Sequence, residues 1–62
     1  MFSHLHLTNG SEIFVNLSQA RTVWKIDDST TEIVFMSDST GNGYFICVRE
    51  SADKIANGEF EI

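Results

Sequence analysis

"FSHLHLTNGSEIFVNL", residues 2–17, is the stretch whose reading decides the fold. Successive side chains on a strand point to opposite faces. On that rule Phe2, His4, His6 and Thr8 share one face, and Ser3, Leu5 and Leu7 share the other. Asn9-Gly10 comes next, a pair favoured in type I′ hairpin turns because both central residues need positive φ. The chain then runs back with Ile13, Val15 and Leu17 on one face and Glu12, Phe14 and Asn16 on the other. Two alternating arms about such a turn predict a tight antiparallel hairpin of residues 2–8 with 11–17.

The period of two continues outward from the hairpin. After the short link Leu17-Ser18-Gln19-Ala20, residues 21–26 set Thr22, Trp24 and Ile26 against Val23 and Lys25. Asp27–Thr30 is polar and turn-prone. Residues 31–37 follow, with Ile33 and Phe35 opposed to Val34 and Met36. The run Asp38–Gly43 reads as a loop, and residues 44–50 oppose Tyr44, Ile46 and Val48 to Phe45, Cys47 and Arg49. The pattern changes at residues 51–57. Ser51 suits an N-cap, Asp53 the first turn, Ala52, Ile55 and Ala56 one helical stripe, and Asn57-Gly58 a left-handed stop. Phe60 and Ile62 alternate in the closing "EFEI", fit for an apolar surface or a short edge strand. The expected fold is one mainly β domain over residues 1–62. Its five antiparallel strands form a meander or small open barrel, closed by one short C-terminal helix.

Sixty-two residues leave no room for a second core. A 7.0 kDa chain buries about 6,000 Å² on folding. With about 60% of that apolar, burial contributes ~90 kcal/mol, and ordering the chain costs ~90 kcal/mol. The two cancel, and chains this small commonly add disulfides, a metal or a partner subunit. Cys47 is the sole cysteine, so no disulfide forms within the chain. The last three strands carry apolar side chains on both faces, whereas a half-solvated antiparallel sheet shows one polar side. The expectation is a homo-oligomer that buries the second apolar surface.

Charge narrows the partners. Nine acidic and four basic residues give a net charge of −5. Arg21, Lys25, Arg49 and Lys54 make no evident basic footprint for phosphate, so direct nucleic-acid binding is not expected. The longest apolar run, Tyr44–Val48, is far too short to span a bilayer, and no basic amphipathic helix is present to lie on one. A lone cysteine without a signal-peptide pattern points to a reducing cytoplasm.

His4 and His6, side by side on one strand face, offer two ligands to one cation, with Cys47 a conceivable third. A structural zinc needs four ligands and a catalytic one three plus supporting groups. Flanked by Phe2 and Thr8, the pair reads as sheet surface, and no metal or cofactor is assigned. No serine lies in a nucleophile elbow, Cys47 sits inside an apolar strand, and Asp27-Asp28 lies in a turn without apolar flanks. Gly41-Asn42-Gly43 precedes a strand rather than a helix, which removes the phosphate-cradling geometry. No catalytic residue is assigned. Phe14, Trp24, Val34, Met36, Phe45, Phe60 and Ile62 are the interface candidates. For Trp24 and Tyr44 a place in the core is the favoured reading over the interface, since aromatics bury the most area per residue.

"LTNGSEIFVNLSQARTV" (residues 7–23) and "VRESADKI" (residues 48–55) together resemble the small FlbD-type flagellar and swarming-motility proteins of bacteria. Gly10, Asn16, Glu50 and Ser51 stand at the places that carry the resemblance, which covers most of residues 5–55. Leu17 stands where those proteins usually have proline, Ala20 where they have a larger aliphatic residue, and the 37–43 loop is long for them. The resemblance implies the β architecture and a motility role, and no catalytic residues.

The sequence therefore predicts a non-enzymatic cytoplasmic module that docks an apolar, aromatic sheet face onto a protein partner, as a homo-oligomer. The alternative is a small acidic inhibitor, phage-encoded in one version, that mimics nucleic acid or blocks a host enzyme. Its carboxylates (Glu12, Asp27, Asp28, Glu32, Asp38, Glu50, Asp53, Glu59 and Glu61) would then line one surface.

Overall fold

The computed structural model describes residues 2–35 and 43–62. The fold is mainly β, with five antiparallel strands and one short helix: β1 (Phe2–His6), β2 (Glu12–Asn16), β3 (Ala20–Asp27), β4 (Thr30–Phe35), β5 (Phe45–Val48) and α1 (Ala52–Ala56). Each element lies within a residue or two of its expected place. The strands do not form the one five-stranded meander or small open barrel expected, however; they divide between two sheets and close no barrel. β1 and β2 make a two-stranded sheet, and β3, β4 and β5 make a separate three-stranded sheet in that order.

The break falls between β2 and β3. Leu17–Gln19 forms a 3₁₀ turn capped by Asn16, whose Oδ1 accepts from the Ser18 main-chain N–H at 3.1 Å and from the Ser18 hydroxyl at 2.7 Å. This local alternative to sheet pairing turns the chain off the β2 edge. The two sheets meet instead along the outer edge of β1. Leu7 bridges to Val48, and the Arg49 N–H donates to the His6 carbonyl at 3.0 Å. Further back, the His4 N–H donates to the Phe60 carbonyl at 2.9 Å and the Ile62 N–H to the Phe2 carbonyl at 3.0 Å, beside a Ser3–Glu61 bridge. "EFEI" thus acts as a short strand-like clasp on β1.

The hairpin turn differs from the two-residue type I′ turn expected of Asn9-Gly10. Leu5 pairs with Ile13 and His6 with Glu12. The loop is therefore Thr8-Asn9-Gly10, closed by a Gly10 N–H bond to the Leu7 carbonyl at 2.9 Å. Within this loop Gly10 takes the left-handed region, at φ 93°, and no described non-glycine residue has positive φ. This is the three-residue loop with a terminal left-handed glycine. Hydrophobic pattern explains the choice. A two-residue loop would set Leu5 opposite Phe14 and turn Ile13 and Val15 away from the core; one more loop residue puts Leu5, Ile13 and Val15 on one face.

The inner faces of both sheets pack on one core: Leu5 and Val15 from the hairpin, Ile33, Phe35 and Val48 from the larger sheet, and Ile55 from α1. β4 is its spine, with Thr31, Ile33 and Phe35 buried in alternation. Thr31 is polar yet buried, and its hydroxyl donates to the Glu50 carbonyl at 2.7 Å. Ser51 occupies the N-cap of α1 but makes no side-chain capping bond. The helix ends as expected on Gly58, at φ 75°, with the Gly58 and Glu59 N–H groups donating to the Ile55 and Lys54 carbonyls. At the β3–β4 turn, the Ser29 main-chain N–H bonds Asp27 at 2.8 Å and is the chief reason its carboxyl lies below the usual range. No helix among the described residues is long and apolar enough to cross a membrane.

Candidate functional site

Two outward faces carry side chains that core packing does not account for. The first is the outer face of the β3–β4–β5 sheet. Residues directly opposite in an antiparallel ladder project to the same side. Register places Thr22, Val34 and Phe45 in one cross-strand row, and Trp24, Glu32 and Cys47 in the next. Trp24 and Phe45 are 48% and 60% exposed, while Val34, Glu32 and Cys47 between and beside them are half-buried. The indole N–H of Trp24 donates to Glu32 Oε1 at 2.8 Å. That bond satisfies the polar end of the indole and fixes the ring's orientation, leaving its apolar body to solvent.

Three of the seven interface candidates, Trp24, Val34 and Phe45, are brought together on this face. Phe14 lies on the other sheet, 60% exposed, and Ile62 at the clasp is 69% exposed. Phe60 packs against the core from the clasp, which makes it partly a core residue. Met36 lies outside the described residues. Trp24 and Tyr44 are both largely exposed rather than core. Tyr44 instead stacks on Phe35, with ring centroids 4.8 Å apart. That stack helps wall a shallow groove of about 270 Å³ lined chiefly by Ile13, Phe14, Val15 and Ile46. Cys47 and Glu32 join the exposed sheet face without having been singled out for it, and the cross-strand register is the signal that places them there.

The second face is the outside of the β1–β2 hairpin. Here β1 presents Phe2, His4 and His6, and β2 presents Glu12, Phe14 and Asn16. The His4 and His6 ring centroids are 5.0 Å apart, and Phe14 stacks on His4 at 5.0 Å with an interplanar angle of 18°. Glu12, opposite His6, reaches diagonally to His4 and accepts from its Nε2 at 2.9 Å. Glu50 approaches His6 from the far side. Its Oε1 accepts the His6 main-chain N–H at 2.8 Å and its Oε2 accepts the His6 Nδ1–H at 2.7 Å.

Glu50 is well enclosed, its side chain 11% exposed. Burial acts to raise its pKa. The main-chain and ring N–H groups of His6, with the Glu50 main chain, outweigh burial and hold the carboxyl below its ordinary value. An ionised carboxylate only accepts hydrogen bonds. Nδ1 of His6 therefore carries a hydrogen and donates it to Glu50. The sequence places the two histidines together, but not the two carboxylates that complete the group. No family model, curated protein or solved structure matches the chain.

Proposed function

We propose that the protein is a non-enzymatic binding module whose outer β3–β4–β5 face docks on a second copy of the same chain. The observation that carries this reading is the juxtaposition of Trp24 and Phe45 on one exposed face, flanking the half-buried Val34 and Glu32. A two-fold interface must be self-complementary. A two-fold axis that lies in the plane of the interface, crosses the middle of β4 and runs perpendicular to the Trp24–Phe45 diagonal seats Trp24 of one copy against Phe45 of the other. Glu32 is already bonded to the indole N–H, so the carboxylate enters such an interface with a partner. The near-zero folding balance of so short a chain favours the same arrangement. A protein partner in bacterial motility is the version that the FlbD-type resemblance implies.

Sedimentation equilibrium from micromolar to millimolar concentration tests the reading. The expected species has twice the 7.0 kDa mass of one chain. Phe45→Lys is expected to weaken self-association at least about 30-fold, the loss of an interfacial aromatic anchor, with its far-ultraviolet circular dichroism unchanged. Added salt strengthens the dimer or leaves it alone, because each chain carries a net charge of −5. An acidic mimic gripping a cationic partner would instead be loosened by salt. A wild-type chain that stays monomeric throughout, or a dimer indifferent to Phe45→Lys, overturns the reading.

A further inference from the structure

The geometry points to the outer face of the β1–β2 hairpin as a divalent cation site of zinc type. His4, His6 and Glu12 are the ligands, and Glu50 is the carboxylate that orients His6. Donor atoms of the three ligands lie within 4.8 Å of one another. Around a tetrahedral zinc with bonds of about 2.0–2.1 Å they would stand about 3.3 Å apart. Closing that difference asks the donor atoms to approach one another by at most about 1.5 Å. Two imidazoles and one carboxylate form a three-ligand set with its fourth position left for water. Such a mixed nitrogen and oxygen set suits zinc and its first-row neighbours, whereas calcium and magnesium prefer oxygen alone.

Each ligand is already held. His4 Nε2 and Glu12 Oε1 are 2.9 Å apart with a hydrogen between them. A cation takes the place of that hydrogen as the one ring proton of the neutral His4 imidazole moves to Nδ1. The stack with Phe14 keeps the His4 ring from swinging away. In His6 the Nδ1–H is committed to Glu50 at 2.7 Å, which leaves Nε2 as the nitrogen the ring has to offer. A carboxylate behind a ligating imidazole is the arrangement that fixes tautomer and ring orientation at metal sites. The site shares no residue with the β3–β4–β5 face, so the fate of one reading does not decide the other.

Chelator-stripped protein titrated with zinc chloride, by calorimetry and by thermal melting, tests the inference. One zinc per chain is expected. At a hundredfold excess over Kd the melting temperature should rise by about 10 °C or more. Glu12 is an exposed side chain, so Glu12→Gln keeps the fold and is expected to lose most of that rise. Glu50→Gln should weaken zinc about 10- to 100-fold, and Cys47→Ser should change nothing. Cobalt bound to the wild-type chain should show the visible bands of a tetrahedral nitrogen and oxygen site without a thiolate charge-transfer band. The inference is overturned if wild-type melting ignores zinc, if the rise survives Glu12→Gln, or if binding vanishes with Cys47→Ser.

Discussion

Ile33→Ala is expected to leave the chain at the edge of unfolding at 25 °C. Ile33 is fully buried at the centre of β4, paired with Val23 on one side and Ile46 on the other. Truncating a buried isoleucine removes its transfer term and leaves a cavity, a loss of about 2–5 kcal/mol. The upper part of that range applies here. Among the described residues six apolar side chains form the buried core, and a strand hydrogen-bonded on both edges cannot shift to fill the space. A domain of this length holds about 3–9 kcal/mol in total. Urea melts followed by circular dichroism should show the midpoint falling by roughly 3–5 M, taking a slope near 1 kcal/mol per M. A midpoint within about 0.5 M of wild type would show that the core is not built around β4.

Glu50→Ala should cost about 2–4 kcal/mol, the second-largest loss and one that apolar burial does not predict. The Glu50 side chain accepts from both the main chain and the ring of His6, while its carbonyl accepts from the buried Thr31 hydroxyl. One residue therefore ties β1 to the end of β5 and to β4. Alanine leaves the His6 N–H without its acceptor and loosens the junction between the sheets. Glu50→Gln keeps an acceptor for that N–H and should recover at least half of the loss. Melts run in chelator keep metal out of the comparison. Equal melting of the alanine variant and wild type would remove Glu50 from the junction.

Strands were legible in this sequence because alternation is a local property. β1, β2, β4 and α1 fall where their apolar spacing puts them. The turn was half legible. Asn9-Gly10 marks its place, but the dipeptide alone favours a two-residue loop, and only the matching of Leu5 with Ile13 and Val15 selects the longer one. That single residue of register also governs the histidine face. A two-residue loop would set Ile13 across from His6, and the observed loop sets Glu12 there. Glu50 was not legible as a neighbour of His6, because it lies 44 residues away in the chain and arrives only through the Leu7–Val48 bridge. The split into two sheets was hidden for a related reason. Strand spacing says nothing about whether consecutive strands pair, and here an Asn16-capped 3₁₀ turn stands between the two sheets. The exposure of Trp24 was unreadable because its face is apolar enough to pass for core.

The clasp on β1 has a consequence for how the molecule opens. It joins the two extremes of the fold through two main-chain hydrogen bonds, donated by the His4 and Ile62 N–H groups. Closing so long a loop costs more entropy than closing the hairpin, and Phe60 is the one clasp side chain that packs on the core in return. Segments with few apolar anchors detach without global unfolding. In deuterium oxide the His4 and Ile62 amides should therefore gain label well before those within β4, and they should do so together. The clasp thus behaves as a latch that can lift while the two sheets stay packed on their core.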